Sequence, residues 1–274
     1  MLHLLKIDLK KLTSYRTFWI ICGLYFITLG TATASGMEFL KWLARTFEQL
    51  GSSFDINRFP LYHFPDVWLN LIWSAGWLKL VLAVMVVISV TNEFAYRTIR
   101  QNIIDGLSRW QFLLSKILTN AVLSLASTVL VFLVALVTGM IYSPEIVWDK
   151  MITDTEFVLA YFLEMFFFLS YALMLGILVQ RSGLTIVLVL LSQTIEVIIK
   201  ASIIKSNGEN NEFVMGLLDY FPMQSIWNLI PAPFPRYVFQ EIQDYVKPLS
   251  AAIVLGWTFL FNYFSYLKLK RSDI

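Results

Sequence analysis

Four ionisable side chains lie inside stretches of sequence that are otherwise apolar: Lys79, Glu164, Glu196 and Lys200. A charge in hydrocarbon is costly, so such residues tend to form pairs or to line a substrate or proton pathway. Glu196 precedes Lys200 by one helical turn, the favourable order for an ion pair on one helix. The long side chain of Lys79 could extend outward past Trp77 to the membrane surface. We expect local neutralisation of Glu196 and Lys200, with a pathway role for the four residues as the alternative.

The sequence contains no motif for catalysis or for metal binding. No glycine is followed by lysine, so the phosphate-binding loop of ATPases is absent. His3 and His63 are the only imidazoles and Cys22 is the only thiol, which leaves too few ligands for a zinc site or a disulfide. We therefore expect neither catalytic residues nor a metal or cofactor bound by this chain.

Composition indicates an integral membrane protein. Hydrophobic residues make up 58% of the chain and aromatic residues 16%, with a mean hydropathy of +0.68, which is far from the usual balance of soluble domains. The net charge of +2 gives no support to nucleic-acid binding. The predicted fold class is all-α, with residues 1–274 forming a single transmembrane domain.

Six segments are long and apolar enough to cross a bilayer, whose core of ~30 Å requires ~20 helical residues. The first could instead be a signal-peptide core, because Ala32, Thr33 and Ala34 resemble a cleavage site. The length of this apolar run favours a membrane span. The predicted spans are residues 18–35, 69–91, 117–141, 157–179, 184–204 and 249–267.

Three further elements are predicted outside the spans. Residues 1–16 place leucines opposite lysines at helical spacing, which is typical of an amphipathic helix in the membrane interface. Apolar positions from Phe39 to Leu50 predict a short surface helix. Between spans five and six, Pro222 and later prolines interrupt an apolar stretch, which predicts a re-entrant or interfacial element. A seventh crossing is the competing interpretation, but it would separate Arg271 from the other basic clusters.

The charge distribution predicts which side of the membrane each connection occupies. With six spans and the N-terminus inside, the inner segments hold twelve basic and four acidic residues, whereas the outer segments hold eight basic and thirteen acidic. Basic residues accumulate on the cytoplasmic side of membrane proteins. We therefore expect a multi-pass protein of the cell (inner) membrane with both termini in the cytoplasm.

The segment Glu93–Lys116, placed between spans two and three, has the pattern of a kinked surface helix. Its apolar positions Ile99, Ile103 and Leu107 recur every four residues, with polar residues on the other faces. Asp105-Gly106 should break the helix, and Ser108 is well placed to cap its restart. An ordinary basic loop under the lipid headgroups is the alternative interpretation.

A set of polar, glycine and aromatic residues recurs in a fixed order along this segment: Glu93-Phe94, Thr98, Arg100, Gly106, Ser108-Arg109 and Lys116. Their order and spacing resemble the signature of ABC-2 type transporter permeases. The similarity extends over the whole chain, from the amphipathic N-terminus through six spans to the helical elements between spans five and six. Arg97 differs from the small residue often found before the threonine in that family.

This resemblance implies a coupling helix that docks on a separate ABC-type ATPase subunit, which would hold the ATP and Mg. Two permease chains, identical or different, would assemble with two ATPase chains in the lipid bilayer, and ATPase closure would switch the pathway between the spans. Glu93 is expected to pair with a nearby arginine. The implied coupling set is Glu93, Arg97, Thr98, Arg100, Gly106, Ser108 and Arg109.

Two other classes of function remain as alternatives. An ATP-independent secondary transporter could use Lys79, Glu164 or Glu196 as proton-coupled groups, although the sequence shows no internal repeat of the kind common in such proteins. A structural membrane protein without transport activity is the other. Among these, the resemblance favours a permease subunit of an exporter, with no enzymatic activity of its own.

Overall fold

A computed structural model describes residues 2–49, 62–104, 106–207, 211–233 and 245–271. Within these ranges all regular elements are helical, which confirms the predicted all-α class. The helices are α1 (Leu2–Ser14), α2 (Arg16–Gln49), α3 (Val67–Gly76), α4 (Lys79–Ala95), α5 (Thr98–Ile104), α6 (Arg109–Tyr142), α7 (Trp148–Ile152), α8 (Glu156–Val179), α9 (Ser182–Asn207), α10 (Glu212–Leu218), α11 (Pro222–Leu229) and α12 (Pro248–Arg271).

The described helices provide between four and six candidate membrane spans. Four stretches qualify individually by length and apolar character: α6, α7 with α8, α9, and α12. Two bent pairs qualify only when each pair is taken as one span. The first pair, α1 with α2, is bent by 89°, and the second, α3 with α4, by 41°.

The N-terminal part of the chain differs from the prediction in one respect. Helix α2 runs without interruption from Arg16 to Gln49, so the separate surface helix predicted from Phe39 to Leu50 is wrong. Leu50 itself lies outside the described residues. At the other end of α2, the Trp19 Nε1–H donates to the Thr13 carbonyl at 2.8 Å across the bend. This bond holds α1 nearly perpendicular to α2.

The second predicted span is not one helix. Helix α3 ends at Gly76 and α4 begins at Lys79, so the break falls within the predicted 69–91 segment. A bend of this size needs a local cause, and the Leu78 N–H, which binds the Ala75 carbonyl at 3.0 Å, forms a tight turn there. The break places Lys79 at the first position of α4, beside α8.

Helix α8 is the centre of the bundle. It packs against α3, α4, α6, α9, α11 and α12, and its side chains Phe157, Phe167 and Phe168 are fully buried. A helix that is apolar on all sides is stable only when it is surrounded by other elements. Gly176 permits the close approach of α4, because an added Cβ would overlap the Val90 side chain.

The described part of the connection between α9 and α12 contains two short helices, α10 and α11. Helix α11 has Pro222 at its first position, where the missing N–H costs no hydrogen bond. The Trp257 Nε1–H of α12 donates to the Tyr220 carbonyl at 2.8 Å, between α10 and α11. Each of the two helices is too short to cross a bilayer. Residues 208–210 and 234–244 of this connection lie outside the described residues.

The turn between α5 and α6 follows the predicted helix break and restart. Gly106 has φ +96°, and its N–H binds the Ile103 carbonyl while the Leu107 N–H binds the Asn102 carbonyl, a glycine-terminated helix end. Asp105 lies outside the described residues. Ser108 then caps α6 in a reciprocal capping box with Gln111, which confirms the predicted role of Ser108.

The cap at Ser108 generates a stability prediction. Substituting Ser108→Ala should lower the free energy of unfolding by about 1 kcal/mol, because the Gln111 N–H loses its acceptor. The measurement is the unfolding midpoint of the purified protein in detergent. Ser108→Asp keeps an acceptor at the cap and should unfold like the natural protein, so equal losses in the two variants would contradict the assignment.

Candidate functional site

The 93–116 segment presents one buried face and one exposed face. Ile99 of α5 is buried in the core, whereas Ile104 is 78% exposed and Tyr96 is 69% exposed. Arg97, just before α5, and Arg100, within α5, are also exposed. Two arginines beside exposed apolar side chains form a surface of the composition that protein interfaces favour.

Arg97 has a backbone conformation that is uncommon for a residue with a side chain. Its φ of +56° lies in the left-handed region, which favours glycine. The residue separates α4 from α5, and its N–H binds the Phe94 carbonyl at 3.1 Å. This turn separates the two helices, and its conformation does not explain why an arginine stands at this position.

Arg109 lies close to the exposed face but has an internal partner. Its Nη1 donates to the Lys270 carbonyl at 2.8 Å, where the last carbonyls of α12 have no partner within the helix. Trp110 adds an edge-to-face contact with Tyr266 of α12, with ring centroids 5.6 Å apart. Arg109 therefore joins the start of α6 to the end of α12.

Glu93 is buried and binds two lysines. Lys116 Nζ lies 3.3 Å and Lys11 Nζ 3.7 Å from Glu93 Oε1, so the predicted pairing of Glu93 with an arginine is wrong. Thr98 donates its hydroxyl to Glu93 Oε2. The Glu93 and Thr98 side chains therefore bind each other inside the protein, and the nearest arginines, Arg97 and Arg100, remain on the surface.

Asp8 completes this charge network. Its Oδ1 lies 2.5 Å from Lys116 Nζ, and its Oδ2 accepts the Thr119 hydroxyl at 2.6 Å. No sequence pattern predicts this contact of Asp8, because spacing along the chain cannot show which distant side chain an isolated acid meets. The charge network, defined as Asp8, Lys11, Glu93, Thr98, Lys116 and Thr119, joins α1, α4, α5 and α6.

Lys79 and Glu164 form a second buried pair. Lys79 Nζ lies 2.5 Å from Glu164 Oε1, and the residues are only 8% and 4% exposed. The lysine therefore does not extend to the surface past Trp77, as one interpretation of the sequence suggested. The pair joins the start of α4 to α8, and Lys79 Nζ also lies 5.6 Å from the centroid of the Phe168 ring.

Glu196 and Lys200 bind α11 rather than each other, so their predicted ion pair is wrong. Glu196 accepts the N–H groups of Met223 and Gln224 at 2.8 and 2.7 Å, which are free donors in the first turn of α11. Lys200 Nζ donates to the Gln224 side-chain oxygen at 2.6 Å. Both side chains fix the connection between α9 and α12.

A group of three buried hydroxyls, which no sequence pattern indicated, forms a further polar cluster. Ser127 Oγ lies 2.6 Å from the Tyr25 hydroxyl and 2.9 Å from the Tyr161 hydroxyl. All three residues are buried. They join α2, α6 and α8 in the middle of the bundle, and each hydroxyl can serve as donor and as acceptor.

The described residues contain no group of three or more His, Cys, Asp or Glu side chains that could hold a metal ion. The acidic side chains of the two clusters have lysine partners, and Glu196 binds backbone N–H groups. These clusters therefore hold helices together by charge-assisted hydrogen bonds.

The fold and these clusters define a helical membrane protein. The chain belongs to the family described as "Protein of unknown function (DUF2705)", whose model matches residues 67–274. A comparison with curated proteins finds no match. The matched region begins with α3 and includes both lysine partners, Lys79 and Lys116, whereas Asp8 and Tyr25 precede it.

The charge network generates a second stability prediction. Lys116→Met should lower the free energy of unfolding by about 3–5 kcal/mol, because it leaves Asp8 buried without its cation. Adding Asp8→Asn should recover most of that loss, since Glu93 keeps Lys11 and Thr98 as partners. The measurement is reversible unfolding in mixed micelles. Lys10→Met is the control, because Lys10 is an exposed lysine on α1, the helix that carries Asp8. A double variant as unstable as the Lys116→Met protein would contradict the network.

Proposed function

We propose that this chain is the transmembrane permease subunit of an ATP-binding cassette transporter. A separate ABC-type ATPase subunit would bind ATP and Mg and would dock on the 93–116 segment. The observation that carries the proposal is the exposure of Arg97, just before α5, and of Arg100 and Ile104 on α5, whose residue Ile99 is buried in the core. No glycine in these residues is followed by lysine, so we assign ATP hydrolysis through a phosphate-binding loop to the separate subunit.

The anchoring of α5 supports its proposed coupling role. Thr98, the first residue of α5, binds Glu93 near the end of α4, and Glu93 binds Lys116 of α6. A force applied to the exposed face of α5 would therefore reach α4 and α6 through charge-assisted contacts. Packed elements of this kind move as rigid bodies rather than deform continuously.

The residues of the coupling set that the resemblance to ABC-2 permeases implies fall into two groups, according to their exposure and their partners within the chain. Arg97, Arg100, Gly106 and Ser108 are exposed, and we assign them to the surface that contacts the ATPase or shapes it. Glu93, Thr98 and Arg109 have partners within the chain. We assign these three to positioning the coupling helix. The proposed contact surface therefore contains fewer residues than the resemblance implies.

We further propose a cell (inner) membrane location with six spans and both termini in the cytoplasm. The basic residues of the 93–116 segment, of α1 and of the end of α12 would then lie together on the cytoplasmic side, as positively charged connections do. A second permease chain, identical or different, would complete the transporter. Export is the favoured direction, because the family that the chain resembles consists mostly of exporters.

ATP-independent, proton-coupled transport is a second candidate function. The observation that favours it is the buried pair Lys79–Glu164, because ionisable pairs inside transport proteins often mark proton pathways. The two candidates differ in their energy source. Transport in proteoliposomes that is driven by a pH gradient without an ATPase would favour this candidate over the ABC permease.

The proposed docking surface generates a binding prediction. In co-expression with an ABC-type ATPase that copurifies with the natural chain, Arg97→Glu with Arg100→Glu should reduce the recovered ATPase about tenfold or more, because reversal of surface charges opposes complementary docking. The measurement is the ratio of ATPase to permease after purification, together with ATP hydrolysis by the complex.

Arg181→Glu is the matched control for that experiment. Arg181 is an exposed arginine between α8 and α9, outside the 93–116 segment, and its reversal should leave ATPase recovery unchanged. A double variant that retains the ATPase at the level of the Arg181→Glu protein would contradict the proposed docking surface.

A further inference from the structure

A pocket opens beside the break between α3 and α4. Its walls come from α3, α4, α8, α9 and α11. The buried pair Lys79–Glu164 lies at this pocket, together with the side chain of Gln193. The pocket is formed within one chain and lies apart from the 93–116 segment.

The polar groups in this pocket keep unused hydrogen-bonding capacity. An ammonium has three donors, and within the described residues Lys79 Nζ uses one of them, for Glu164 Oε1. Glu164 Oε2 and the Gln193 amide likewise have no partner among the described side chains and backbone groups. Gly76 leaves space next to the carboxylate, because an added Cβ would lie 3.2 Å from Oε1 and 3.3 Å from Oε2.

The remaining walls of the pocket are aromatic and aliphatic. The Trp77 ring contacts those of Trp73 and Trp227 edge to face, at centroid distances of 5.8 and 5.6 Å. Phe168 lies beside Lys79. Aromatic faces attract organic cations as well as apolar groups. The site therefore combines a neutral ion pair with surfaces suited to an ammonium group and to a hydrocarbon body.

The energetics of buried charges decide which ligand fits this pair. A simple cation that bound Glu164 at the expense of Lys79 would leave the lysine buried without a partner, and a simple anion would do the same to Glu164. Leaving one member of a buried pair uncompensated is strongly unfavourable. A ligand that carries both charges can bind both residues and leave no charge unpaired.

We propose that this pocket binds a zwitterionic amphiphile. Its ammonium group lies against Glu164 and the indole rings, its anionic group lies at Lys79, and its apolar body follows the aliphatic walls of α9 and α11. Gln193 donates to and accepts from the headgroup. The inference concerns ligand binding alone and does not depend on an ATPase partner.

The test compares amphiphiles that share a dodecyl chain and differ in the headgroup. The full-length protein is held in dodecyl maltoside, and dodecylphosphocholine, dodecyltrimethylammonium or dodecyl phosphate is added below its micelle concentration. Native mass spectrometry then counts the bound molecules. We expect one dodecylphosphocholine per chain, with an affinity about tenfold or more above that of either singly charged amphiphile, since only the zwitterion pairs both residues.

Two paired variants make the test specific for Lys79 and Glu164. Lys79→Met with Glu164→Leu removes both charges, a change that buried pairs often tolerate without loss of stability, and should abolish the preference for the zwitterion. Lys79→Glu with Glu164→Lys restores a neutral pair and should retain that preference. Equal uptake of all headgroups by the natural protein, or an unchanged preference in the uncharged variant, would overturn the proposal.

Discussion

The buried contact of Lys116 with Asp8 and Glu93 is the interaction on which the arrangement of the 93–116 segment depends. A single ammonium binds two carboxylates from different helices. Lys11 lies near the same Glu93 oxygen, and two threonine hydroxyls donate to the other carboxylate oxygens. Two acids with two lysines make a neutral cluster. Because each charge has partners, the cluster can lie inside an apolar bundle, and removal of any one charge would leave another uncompensated.

The same principle operates at the other end of α4. This 17-residue helix is about 25 Å long; it begins at Lys79, which binds Glu164, and carries Glu93 near its last turn. Both buried clusters are thus attached to one rod. The α3–α4 break adjoins Lys79, so a movement of α4 transmitted from α5 would be absorbed where the pocket lies. Helix α4 therefore extends from the 93–116 segment to the pocket beside the α3–α4 break.

Local patterns in the sequence predicted most of the helices, and long-range partners escaped prediction. Ser108 and Gly106 were assigned correctly because capping and left-handed turns depend on neighbouring residues. Lys79 and Glu164 were each recognised as unusual, but their pairing joins helices remote in sequence. Helical spacing favours a pair of Glu196 with Lys200, whereas the N–H donors at the start of α11 reach Glu196 only in the folded chain.

Helix α6 shows why the 93–116 segment is more than a loop between spans. Its 34 residues form a rod of about 50 Å that begins at the Ser108 cap and carries Lys116 two turns later. Further along the same helix, Ser127 contacts the hydroxyls of Tyr25 and Tyr161. The second half of the segment is therefore the first part of a candidate span. A displacement at its exposed start would be carried into the bundle by the helix itself, with no flexible connection in which the movement could be lost.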